Sequence, residues 1–236
     1  MQHYTPKKAL IVGAGAGLSA AVARLLHKDG VEVTLAARTP DDLSELCEEL
    51  SAKAYACDAS KRESVSELFT ALDGDGRTPD FVLYNPSARS RGALIELDPE
   101  EVERAIMVSA YGGFLVAQEA AKRMLEKGEG AIFFTGASAS VKGYAMSAPF
   151  AMGKFALRGL AQSMARELQP KNIHVAHFVI DGGIRNEARP ERQPADDNPD
   201  SMLEPEAIAE TYMSVLRQHR SAWAWEVELR PWVERF

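Results

Sequence analysis

One junction constrains this chain more than any other feature. The apolar run KKALIVG (7–13) ends directly in Gly13-Ala14-Gly15-Ala16-Gly17-Leu18-Ser19, and a helical pattern begins at once. Glycines at alternate positions let the backbone pass close to a neighbouring group where any Cβ would obstruct. The helix start behind them leaves N–H groups without intrahelical partners. A strand, a glycine turn and a helix N-terminus in that order form a seat for a pyrophosphate, with Gly13, Gly15, Gly17 and Leu18 as its backbone; the competing reading is a tight turn and nothing more.

The same alternation runs to the far end of the chain. VEVTLAA (31–37), AKAYACD (52–58), DFVLYN (80–85), GAIFFTG (130–136) and IHVAHFVI (173–180) read as strands, several of them apolar on both faces as buried parallel strands are. Between them lie helical stretches such as LSAAVARLLHKDG (18–30), with Leu18, Val22, Leu25 and Leu26 at helical spacing and Gly30 as its stop. Thr39-Pro40-Asp41-Asp42 predicts a second helix with Thr39 as its N-cap and acids against the dipole. Strand–helix alternation of this period predicts right-handed βαβ units, hence an α/β fold with a doubly wound parallel sheet, in one domain over residues 1–236.

Residues 186–203 break that rhythm with three prolines and no periodicity, just after the sixth strand, where such a sheet presents its ligand crevice. A substrate lid and a plain surface loop are both open readings. The tail SAWAWEVELRPWVERF holds Trp223, Trp225 and Trp232, which predicts packing on the core or on a second subunit.

Charge and composition narrow the function. The net charge of −7 argues against nucleic acid or an anionic membrane as the main partner. No apolar run approaches the ~20 residues of a membrane span, and MQHYTPKKALIVGAG has no apolar signal segment, so the expected location is the cytoplasm. Cys47 and Cys57 form no CxxC pair and no metal-spaced cluster with the histidines, and His174 and His177 point to opposite faces of one strand. Reduced thiols and no metal site are expected. After the second strand comes Ala36-Ala37-Arg38, with no acid to take a ribose 2′-hydroxyl. The planar donor fork of Arg38 suits a 2′-phosphate and favours NADP over NAD; the alternative is a solvated surface arginine.

These residues resemble the short-chain dehydrogenase/reductase family over nearly the whole chain. GAGAGLS is similar to the family's TGxxxGxG, with Val12 in the threonine position and Ser19 in the last glycine position. Cys57-Asp58-Ala59 resembles the end of the third strand, whose aspartate contacts adenine in the family. Tyr84-Asn85-Pro86-Ser87 stands where the family has NNAG and keeps one asparagine, Asn85. Residues 156–184 resemble the passage from the sixth helix to the sixth strand, with Asp181-Gly182-Gly183-Ile184 in place of the usual PG motif. The resemblance implies a Rossmann-like three-layer sandwich and a cofactor site of Gly13, Gly15, Gly17, Leu18, Arg38, Asp58, Ala59, Asn85, Lys154 and Ile184, the last through its backbone at the nicotinamide.

The catalytic positions depart from the family. Its YxxxK, in which the tyrosine exchanges the carbonyl proton and the lysine lowers that tyrosine's pKa and holds the ribose, reads Phe150-Ala151-Met152-Gly153-Lys154 here. Phenylalanine cannot serve as acid or base, whereas Lys154 is retained; an ordinary exposed lysine is the alternative. The family's serine falls at Ala137 or Ser138 in TGASAS, and Ser138 is the expected carbonyl donor, unless it bonds its own loop. Ser109 stands near the family's helix asparagine. Tyr144, ten residues before Lys154, is a surrogate proton donor or a packing tyrosine; it matches no family spacing. A lid residue or water are further proton sources.

Three readings remain: an NADP-dependent oxidoreductase on a small carbonyl or activated double-bond substrate with an altered proton donor, an NADP(H)-binding module without turnover, and a structural relative with an empty crevice. The resemblance also implies a homodimer or homotetramer built on residues 101–126 and 148–169.

Overall fold

The computed structural model describes residues 4–186, 189, 192–194 and 197–234. Strands β1 (Lys8–Val12), β2 (Glu32–Ala37), β3 (Lys53–Ala56), β4 (Phe81–Tyr84), β5 (Gly130–Thr135) and β6 (Ile173–Ile180) fall where the sequence places them. They alternate with helices α1 (Leu18–Lys28), α2 (Ser44–Leu50), α3 (Arg62–Gly74), α4 (Pro99–Ile106), α5 (Gly112–Lys127) and α6 (Ala148–Leu168). After β6 come a two-residue ladder, β7 (Gly183–Ile184) with β8 (Met202–Leu203), then α7 (Pro205–Leu216) and a last strand β9 (Glu226–Leu229).

The central sheet has seven parallel strands in the order β3-β2-β1-β4-β5-β6-β9. The period-2 alternation of side chains separates two cores. Ala9 and Ile11 of β1 pack on one face with Leu26, Ile208 and Tyr212 of α1 and α7. Leu10 and Val12 pack on the other with Leu68, Val116 and Leu157 of α3, α5 and α6. Burial on both faces explains the near-continuous apolar runs and gives the three-layer α/β sandwich.

One local expectation needs correction, and the tail adds a strand. Thr39 gives no side-chain cap; Pro40–Leu43 form a 3₁₀ turn instead, and α2 begins only at Ser44. The tail is more than a packing segment, since β9 pairs parallel with β6 from His177↔Glu226 to Ile180↔Leu229. Its tryptophans divide. Trp223 stacks on His174 with ring centroids 4.6 Å apart, and Trp225 packs beside Arg158. Trp232 stays 81% exposed, because the chain has already left the sheet edge.

The strand order turns between β1 and β4: β2 and β3 lie to one side, β4, β5 and β6 to the other. Crossovers running to opposite sides part at that point, so a crevice opens beyond the carboxyl ends of the strands. A cavity of about 1840 Å³ lies there, lined from Gly13, Arg38, Asp58, Asn85, Gly136 and Asp181 onward.

Candidate active site

The phosphate end is built by the turn after β1. Gly13 has φ +75°, and a Cβ on it would meet the Pro86 backbone nitrogen at 2.7 Å. Its N–H and that of Ala14 donate to the Ala36 carbonyl, which fixes the turn against β2. Asn85 Nδ2 donates to Ser19 Oγ (2.7 Å) and to the Gly13 carbonyl (3.3 Å), and Ser19 Oγ donates to the same carbonyl. Asn85 therefore braces the turn, and Ser19 is part of that brace. A Cβ on Gly15 would meet nothing within 4 Å and would project into the crevice. Gly17 caps α1 without a side-chain bond, and the first turn of α1 carries no acid, so its N–H groups and dipole are left for an anion. This is a cradle that side chains would fill, and a pyrophosphate fits it.

At the far end, Arg38 is exposed on the crevice wall and forms no ion pair among the described residues. Asp58 accepts from the N–H and hydroxyl of Ser60 (3.1 and 2.7 Å), and these bonds hold its carboxyl below its ordinary value, ionised. Ala59 is buried, with its carbonyl against Gly112, where a Cβ would stand 2.6 Å away.

At the other end lies the region where the family has its chemistry. Lys154 is 2% exposed, and its Nζ donates to the Thr135 carbonyl at 2.8 Å. Burial, and then the charge of Arg89, lower its pKa from 10.5 to about 7. Phe150 is buried in a small apolar cluster with Ala137 and Ala139. Of the two residues the sequence left open for the catalytic serine, Ala137 is the one that packs with Phe150, while Ser138 lines the crevice from a 3₁₀ turn. Tyr144 also lines it, 44% exposed, with the Lys142 ammonium 5.6 Å from its ring centroid.

Ser109 is fully buried in a π-helical turn, Met107–Tyr111, and its Oγ accepts from the Ala88 N–H at 3.3 Å. Gly153 lets α6 close on that turn, since a Cβ there would stand 2.8 Å from Ser109 Cβ. Ile184 lies in β7 on the crevice wall, and of residues 186–203 those described that line it are Asn186, Arg189, Arg192 and Met202. Residues 187, 188, 190, 191, 195 and 196 of the expected lid lie outside the described residues. Among the described residues no group of His, Cys, Asp and Glu could hold a metal, and no helix is long and apolar enough to cross a membrane.

Sequence reasoning missed two features here. Arg89 lies over the Phe150 ring with its guanidinium carbon 4.1 Å from the centroid. His177, behind the cluster, faces Glu226 at 3.2 Å and is kept neutral by burial, its pKa lowered to about 4. Glu226 in turn takes a two-pronged bond from Arg158 (2.6 and 2.7 Å), which pins β9 to α6. The arginine cluster had a visible signal, three arginines in Arg89-Ser90-Arg91 and Arg192, but no periodicity to mark it.

A doubly wound parallel sheet with a glycine cradle at its switch point defines a dinucleotide-binding α/β protein. The model of the short chain dehydrogenases matches residues 7–195, and the chain belongs to that family. A curated relative, an uncharacterised oxidoreductase of Staphylococcus aureus, is 27% identical over 98% of this chain and all of its own length. A crystal structure of a short-chain dehydrogenase from Rhodopseudomonas palustris superposes with a TM-score of 0.80 and 32% identity, covering 95% of this chain and 99% of that one. A metagenomic short-chain oxidoreductase in complex with NADP gives 0.82 at 25% identity, over 98% and 99%. The chain is thus an oxidoreductase-family protein with a nicotinamide-dinucleotide fold.

Proposed function

We propose that the chain is an NADP(H)-dependent oxidoreductase acting on a carbonyl or an activated double bond, with its proton supplied by a group other than a phenol at position 150. The observation that carries this reading is the continuous crevice from Arg38, through the Gly13–Gly17 cradle, to the buried Lys154. Bound there, the dinucleotide supplies hydride chemistry. Arg38 would hold the 2′-phosphate, Asp58 and Ala59 the adenine end, the α1 N-terminus the pyrophosphate, and Lys154 and Ile184 the nicotinamide half. Lys154 changes protonation near neutral pH, so it can hold or pass a proton at Nζ; Ser138 and Tyr144 face the substrate side. The relative solved with NADP supports the choice of cofactor.

The apolar Ala137–Ala139–Phe150 cluster favours a second reading, a cofactor-binding module without turnover. Exposed Tyr111, Phe114, Met152 and Phe155 on and beside α5 and α6 support a homo-oligomer, read by solution mass. Cytoplasmic location is part of the same proposal.

The deciding experiment is a fluorescence titration with NADPH and NADH of the wild type and Arg38→Ala. The expected result is micromolar binding that favours NADPH, with the preference reduced at least tenfold in the variant. Tighter NADH binding overturns the assignment of Arg38. Absence of binding to both overturns the function. NADPH oxidation with a panel of aldehydes, ketones and enones then separates enzyme from module.

A further inference from the structure

Phe150 is apolar, but the crevice it lines is also walled by Arg89, Arg91 and Arg192. Arg89, on the loop after β4, lies over the ring, which holds its planar fork in one orientation. Burial, and then the charges of Arg192 from the segment after β6 and of Arg91 from the same loop, lower the pKa of Arg89. Arg89 in turn disfavours the charge on Lys154.

Two segments about a hundred residues apart in a chain of net charge −7 thus bring arginines to the wall of one crevice. Like charges gathered on a crevice wall cost energy unless an anion joins them. None of Arg89, Arg91 and Arg192 has an ion-pair partner among the described residues; of the acids on the same crevice wall, Asp181 is held by Lys142 and Arg230 and Asp58 by Ser60 and Lys61, and Asp42 and Glu234 are the other described ones.

We propose that Arg89, backed by Arg91 and Arg192, forms an oxyanion subsite that takes a carboxylate or phosphate group of the substrate. The molecule on which this crevice acts is therefore an acid. This rests on the reading of the crevice as a cofactor-and-substrate site. An arginine fork accepts either group through two parallel bonds, with the rest of the molecule directed to Lys154, Ser138 and Tyr144.

The test is isothermal titration of the full chain with malonate and with inorganic phosphate, with and without saturating NADP, at fixed ionic strength. Arg89→Met, Arg89→Lys and Arg62→Met, an exposed arginine of α3 outside the crevice, are compared with the wild type. The expected result is millimolar or tighter binding of one of the two anions in the presence of NADP. Arg89→Met should weaken it at least tenfold, Arg89→Lys should restore part of it, and Arg62→Met should leave it unchanged. NADPH affinity should be the same in Arg89→Met as in the wild type. NADPH binding without anion binding overturns the subsite alone, and anion binding without NADPH binding overturns the cofactor reading and leaves the subsite standing. A parallel loss of NADPH affinity in Arg89→Met assigns the arginine to the cofactor and overturns the proposal.

Discussion

Replacing Lys154 by methionine should stabilise the protein, by an amount that depends on pH in a predictable direction. The lysine is 2% exposed, donates to the Thr135 carbonyl and has no carboxylate partner among the described residues. Its pKa falls from 10.5 to about 7, and at about 1.4 kcal/mol per pH unit the buried ammonium costs about 5 kcal/mol where both states are charged. Methionine removes that cost but leaves the carbonyl without its donor, a loss of about 1–3 kcal/mol. The net gain near pH 6 is about 2–4 kcal/mol. Because the folded pKa lies below the unfolded one, the unfolded chain binds more protons between about pH 7 and 10.5, and wild-type stability rises with pH across that window. The advantage of Lys154→Met is therefore full below pH 7, shrinks as the pH rises, and reverses between about pH 8 and 10, where the ammonium cost falls below the about 1–3 kcal/mol of the lost hydrogen bond. Urea unfolding followed by circular dichroism from pH 6 to 10 measures it, with all other groups cancelling in the difference. A constant difference across the range would mean that the lysine stays charged when folded. The same result would remove the reason to give it a proton-handling role.

The remaining predictions concern the turn and the apolar cluster. Gly13→Ala places a Cβ against Pro86 at φ +75°, so it should cost about 1–3 kcal/mol, seen as a Tm drop of several degrees, and should weaken NADPH binding. Phe150→Tyr combined with Ala137→Ser rebuilds the pair that packs together, and should raise carbonyl-reductase turnover at least tenfold. No gain in the double variant would place the proton source elsewhere. In that case Tyr144→Phe should abolish turnover while NADPH affinity is retained.

The fold was legible because its signals are local. KKALIVG, GAIFFTG and IHVAHFVI are too apolar for half-exposed strands, and Gly30, at φ +79°, ends α1 as its position indicates. β9 is hard to read because Glu226-Val-Glu-Leu229 alternates charge with apolar residues on an edge strand, and Glu226 is satisfied by Arg158 and His177 from other elements. The glycine turn of the proposed cofactor end was legible for the same reason as the fold, since a turn between strand and helix is one contiguous stretch. The substrate end was not. Whether Ala137 or Ser138 meets Phe150 depends on how a 3₁₀ turn is wound, and the placement of Arg89 over that ring depends on where two loops cross.

By itself, the sequence determined the alternation, the two-faced burial of the strands, the glycine turn after β1, and the absence of a phenol at Phe150, because each is a property of neighbouring residues or of a single side chain. Only the tertiary structure decided that Asn85 and Ser19 brace the turn, that Lys154 is sealed from water beside Thr135, and that Arg89 lies over Phe150 in a crevice also lined by Arg91 and Arg192. These depend on distances between residues far apart in the chain, and packing of the sheet, its helices and their loops sets such distances.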